Sequence, residues 1–144
     1  MSRGLTLIEL VVVLAIVGVS AAVALPAFGR LLDDEPSPAA PVVELLERAR
    51  RTAMERAVRV TVTVIPASGR YWVWADGDDA RAPLADGVLA LPAGARLAAS
   101  GLRARVRFDP GGHAAGDTVV VWSATGAELV SADRWTGEVR VAAR

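Results

Sequence analysis

The chain has 144 residues with equal numbers of basic and acidic side chains, so its formal net charge is zero and no overall field draws it toward nucleic acid or anionic lipid. Cysteine is absent, which excludes disulfides, thiolate metal sites and a cysteine nucleophile. Every basic side chain other than the one histidine is an arginine, a compositional habit that implies no particular chemistry.

The first element is apolar and long. Leu5 to Leu25 is a run of 21 residues in which Glu9 is the only charge. As a helix it would span about 30 Å, the hydrocarbon thickness of a bilayer. A lone carboxylate in such a segment is costly, about 3 kcal/mol on insertion scales, so Glu9 is expected to have a partner. Arg3 would hold the N-terminus on the cytoplasmic side. Two plainer readings also fit the run. One is a secretory signal with an exit at Ala22-Val23-Ala24, and the other is an uncleaved anchor. Neither accounts for an acid near the head of the apolar stretch.

A helix over residues 5–33 is expected to stop before the segment 34–41. Pro36, Pro38 and Pro41 remove backbone donors there and push their predecessors toward extended conformations, which makes this a hinge. From Val42 to Ala57 a helical period returns. Val42, Leu45, Leu46, Ala49, Ala53 and Ala57 form one stripe, with Glu44, Glu47, Arg48, Arg51 and Glu55 opposite. The pairs Glu44 with Arg48, Glu47 with Arg51 and Glu55 with Arg59 have the spacing that supports an exposed helix face.

The period then switches to two. Val58 to Val64 and Arg70 to Ala75 read as a hairpin turned by Pro66-Ala67-Ser68-Gly69. Further strands are expected at Gly87–Leu91, Arg103–Phe108, Thr118–Trp122, Glu128–Ala132 and Glu138–Val141, divided by Gly, Pro and Asp turns. About seven short strands behind one amphipathic helix give an α+β head over residues 42–144, with the helix on antiparallel sheets. An N-terminal transmembrane helix precedes it.

No catalytic constellation emerges. His113 sits in a small-residue turn without a second ligand or acid close in sequence, which reads as a solvated loop histidine. Asp76-Gly77-Asp78-Asp79 lacks the glycine and terminal glutamate of an EF-hand loop and reads as an acidic turn. The hydrolase, zincin and P-loop patterns are absent. Neither a cofactor nor a metal is expected, and the chain is read as a non-enzyme. Arg103, Arg105 and Arg107 alternate with Ala104, Val106 and Phe108, which places three cations on one face of a strand. Such a stripe can follow a phosphate backbone or can keep an exposed strand from aggregating.

Gly4-Leu5-Thr6-Leu7-Ile8-Glu9 ahead of a long apolar helix resembles the class III signal of type IV pilins and type II secretion pseudopilins. The later Phe108-Asp109-Pro110-Gly111-Gly112 and Thr136-Gly137-Glu138-Val139-Arg140 resemble the GspH/FimT branch, the minor pseudopilins of the H type and related minor pilins. The resemblance implies cleavage by a prepilin peptidase between Gly4 and Leu5, which makes residues 1–4 a leader. It also implies N-methylation of Leu5 and a role in filament assembly for Glu9 and Pro26. The implied partners are the peptidase, other pseudopilins or pilins and the inner membrane, with the head in the periplasm. Some FimT-like relatives bind DNA through a C-terminal G-R-x-R tail, which makes Arg140 a candidate together with Arg103, Arg105 and Arg107. Here a glutamate, Glu138, stands where the first arginine of that tail would be, and with zero net charge nucleic acid is not the expected partner.

Overall fold

The computed structural model describes residues 11–13, 37–76 and 83–144. The chain divides into two compact units, Met1–Ser37 and Pro38–Arg144. Of the first, Val11, Val12 and Val13 are helical with exposed side chains. The rest of the expected 5–33 helix lies outside the described residues, as do residues 34–36 of the expected hinge. Among the described residues no helix is long and apolar enough to cross a membrane.

The second unit opens with α1, Ala40–Arg56. Pro41 occupies its first turn, where a missing N–H costs nothing because that donor has no intrahelical acceptor. No side chain caps the start and the first turn carries no acid. Instead the carboxylate of Glu128 accepts the Ala39 N–H at 3.0 Å from 89 positions away, bringing negative charge to the positive end of the helix dipole. The expected stripe is buried at Val42, Leu45, Leu46, Ala49 and Ala53. Ala57, assigned to that stripe from its period, is the exception. It adopts a left-handed conformation (φ 52°), ends the helix one residue earlier than expected, and faces solvent.

That stop redirects the expected ion pairs. Glu44 and Arg48 meet at 2.5 Å as anticipated. Glu47 contacts Arg50 at 3.7 Å rather than Arg51, because its carboxylate turns toward the sheet and also accepts the Val139 N–H. Arg59, thrown off the helix axis beyond Ala57, does not join Glu55. It binds Asp109 at 2.6 Å and Asp76 at 3.4 Å.

Among the described residues nine strands follow: β1 (Val60–Val64), β2 (Arg70–Ala75), β3 (Ala85–Val88), β4 (Arg96–Ala98), β5 (Ala104–Phe108), β6 (Ala114–Gly116), β7 (Val119–Ser123), β8 (Gly126–Ala132) and β9 (Val139–Ala143). They form two antiparallel sheets, ordered β3-β2-β1-β5-β6 and β4-β7-β8-β9. The seven expected strands are all present, β2 with the expected bounds and the other six with one or both ends shifted. β4 and β6 are additional, each three residues long and paired along one side only. Alanine and glycine supply most of β6, so its strand character comes from the ladder to β5 rather than from propensity.

One core joins the three layers. Inner residues of the first sheet, among them Val60, Val62, Val106 and Phe108, meet the helix stripe together with Val119, Val121 and Val130 of the second sheet. α1 touches β1 and β5 of one sheet and β9 of the other. Phe108 is fully buried and is the largest such side chain in the cluster. Phe108→Ala should lower unfolding free energy by about 3–5 kcal/mol, read by denaturant titration of the purified protein.

The Arg59 cluster gives a second expectation. The Arg59 guanidinium, through its hydrogen bond and then its charge, holds the Asp109 carboxyl below the usual carboxylate range. A carboxylate depressed in the folded state stabilises above its unfolded pKa of about 4, and that contribution disappears as pH falls through the folded value. Stability should therefore fall as pH drops below about 4, and Asp109→Asn should shrink that loss, measured by thermal melts across pH.

Candidate functional site

Gly4, Leu5, Glu9 and Pro26 lie outside the described residues, so the head alone supplies geometry. Its first sheet has an inner face committed to the core and an outer face on which α1 does not pack. The alternation of β5 sends Ala104, Val106 and Phe108 inward and leaves Arg105 and Arg107 exposed, with Arg103 exposed just before the strand.

The same alternation on β2 aligns Arg70, Trp72 and Trp74 on the outer side. Register then decides their neighbours. Thr63 stands between Trp72 and Arg105, and Thr61 stands between Trp74 and Arg107. Thr61, Thr63, Trp72, Trp74, Arg103 and Arg105 line a groove of about 500 Å³. The Arg70 guanidinium lies 5.2 Å from the centre of the Trp72 ring, a cation–π contact at the groove's edge. Among the described residues, Arg70, Arg103, Arg105 and Arg107 form no ion pair.

The four arginines singled out from the sequence do not converge. Arg140 is on β9 of the second sheet and is held by Asp133 and Glu138, each at 3.3 Å. Glu138, the residue that displaces arginine from the tail pattern, is thus one of the acids that engage Arg140. Trp72, Trp74 and the two threonines were not flagged from sequence as a site. Their period-two spacing was visible, but which strand lies beside which is a property of the sheet order.

His113 and the acidic turn have local partners. His113 Nδ1 lies 2.8 Å from the Trp135 carbonyl oxygen, and its ring meets the Trp135 ring edge-on at 6.4 Å. Asp76 pairs with Arg59, while residues 77–79 of that turn lie outside the described residues. No cluster of three or more metal-ligating side chains occurs among the described residues.

The two motif segments near the C-terminus meet each other. Asp133 receives the N–H groups of Trp135 at 2.9 Å and Thr136 at 3.0 Å, which close the β8–β9 turn. These backbone donors, with Arg140 contributing less, hold the Asp133 carboxyl below its ordinary range. Gly137, at φ 62°, brings its backbone against Gly112, and a Cβ there would be driven into the Gly112 carbonyl oxygen. Arg50 of α1 donates to the Thr136 carbonyl at 2.9 Å, and the Ala114 N–H reaches the Arg134 carbonyl at 3.2 Å. Helix, first sheet and second sheet are fastened at this one junction. Gly137→Ala combines a positive φ with a backbone collision and should cost at least about 1–3 kcal/mol, read from the midpoint of chemical denaturation.

Two family models match the chain. Residues 1–25 match the prokaryotic N-terminal methylation motif and residues 39–142 match the type II transport protein GspH. Among curated proteins, none is matched significantly by sequence. Two crystal forms of the type IV minor pilin FimU of Pseudomonas aeruginosa strain PAO1 share the fold. One superposes with a TM-score of 0.58 at 14% identity, covering 74% of this chain and 86% of that one. The other gives 0.55 at 13% identity, covering 74% and 90%. The head is therefore pilin-like, one helix on antiparallel sheets. With a methylation motif at its start and the GspH match running along the whole head, the chain belongs to the GspH family of type II transport proteins.

Proposed function

We propose that this chain is a minor pseudopilin of the H type, a structural component of the periplasmic pseudopilus of a type II secretion system that helps export folded proteins. The observation that carries the reading is the pairing, in one chain, of the N-terminal methylation motif with a GspH head. Its mechanism is polymerisation rather than turnover. A prepilin peptidase cuts after Gly4 and methylates Leu5, the helix starting at Leu5 anchors the protein in the inner membrane, and the head stands in the periplasm. On assembly that helix enters a filament core with other pseudopilins, and Pro26 shapes it near the membrane exit.

Glu9 is the residue on which assembly turns in this reading. Its carboxylate pairs with the amine freed at Leu5 of an adjacent subunit, which replaces an unpartnered charge in an apolar core. Losing one partner of such a pair costs about 3–5 kcal/mol. A minor pilin of a type IV pilus is the second reading, favoured by the fold shared with FimU. Its DNA-uptake variant is disfavoured because the tail residue Arg140 is engaged by two carboxylates.

Two experiments test the proposal. Gly4→Val should leave unprocessed precursor in the membrane by intact-mass measurement, and normal maturation would remove the prepilin reading. Glu9→Ala keeps helix propensity, so processing and the head's fold should survive. Crosslinking to neighbouring pseudopilins and secretion of the exported protein should fail. Glu9→Gln should fail nearly as badly if charge attraction decides. Wild-type crosslinking and secretion in Glu9→Ala would overturn the pairing, and a piliation defect with intact secretion would favour the pilus.

A further inference from the structure

We propose that the outer face of the first sheet is a binding site for an acidic glycan, a sugar chain carrying carboxylates, seated in the groove between Trp72, Trp74 and the arginines at β5. The inference is independent of which filament the protein enters.

Three kinds of side chain converge there, each suited to one part of such a ligand. Trp72 and Trp74 are two residues apart on one strand, so their Cα atoms stand about 7 Å from each other on the same face. Each is half-buried and offers a flat apolar surface to the C–H face of a separate sugar ring. Thr61 and Thr63 line the floor between the tryptophans and the arginines. Among the described residues neither threonine hydroxyl has a protein hydrogen-bond partner, and Thr63, though buried overall, has no buried orphan oxygen, so its hydroxyl is open to a ligand. A hydroxyl both donates and accepts, which matches the hydroxyls of a sugar. Arg103 and Arg105 close the other side and form no ion pair among the described residues, and a planar guanidinium binds an incoming carboxylate through two parallel hydrogen bonds.

Charge density separates this ligand from nucleic acid. A phosphate at every step is neutralised by many cations, and affinity rises with their number. Here the net charge of the chain is zero, Asp86 stands directly beside Trp72 on β3, and Asp117 holds the Arg105 amide at 2.9 Å. These acids at both margins tolerate a ligand with sparse carboxylates and neutral hydroxyls better than a continuous polyanion. Shape separates it from a protein partner. A groove of about 500 Å³ has the size of a site for a small or narrow ligand, whereas a stable protein interface covers about 800 Å² per side.

The test uses the full-length protein in a detergent without a sugar headgroup, titrated with an oligogalacturonate and followed by tryptophan fluorescence and calorimetry. Saturable binding is expected, with about ten-fold weaker affinity for Trp72→Ala and for Arg105→Gln. Trp72→Phe should recover most of the loss because it keeps an aromatic face, and Trp135→Phe, in the β8–β9 turn, should leave affinity unchanged. Unfolding curves of each variant show whether the head is intact. Absence of saturable binding by the intact protein overturns the proposal. So does equal affinity for a neutral cello-oligosaccharide, tighter binding of single-stranded oligo-dT, or binding that the well-folded Trp72→Ala and Arg105→Gln variants retain.

Discussion

The packing of one helical stripe against two sheets at once is the constraint from which the rest of the head follows. Val42, Leu45, Leu46, Ala49 and Ala53 are buried among residues of both sheets. Small side chains at Ala49 and Ala53 allow a helix to approach a sheet closely, and the larger ones at Val42, Leu45 and Leu46 fill the core around the start of α1. Because the inner faces are consumed in this way, each strand of the first sheet must send its alternate residues to solvent. The tryptophans, threonines and arginines of the outer face share one surface for that reason.

Polar contacts fix how the layers sit on the stripe. Glu128 supplies charge to the start of α1, Glu47 holds the first amide of β9, and Arg50 reaches the Thr136 carbonyl. Each joins the helix to a segment far along the chain. Burial alone is non-directional and would permit sliding of the helix, whereas hydrogen bonds from side chains to fixed backbone groups favour one register. The close approach of Gly137 to Gly112 adds a steric lock between the two sheets. The two turn patterns around Gly112 and Gly137 are thus explained by contact with each other.

Much of this was legible from period. The helical stripe was readable because apolar and charged residues separate cleanly from Val42 to Ala53, and β1, β2 and β5 because valines or alanines alternate with polar residues. Three things were not. Ala57 continues the apolar period but takes a left-handed turn, a backbone choice that its side chain does not announce. β4 and β6 are too short and, in β6, too poor in strand-forming residues to show a period, so only their partners define them. The association of Trp72 and Trp74 with Arg105 and Arg107 depends on β1 lying between β2 and β5, and strand order is a long-range property. For the same reason the sequence did not show that Arg140, named from the tail resemblance, stands on a different sheet from the β5 arginines.

The position of β9 has a consequence for when the head can form. β9 pairs with β8 and gives its first amide to a helix carboxylate 92 positions earlier. During vectorial synthesis α1 and the strands before β9 emerge ahead of this piece. Until Val139 arrives, one edge of β8 has no ladder partner and Glu47 has no β9 amide to accept. Beyond Val139 the strand is exposed, so its late arrival completes a ladder and a helix contact while adding little buried surface.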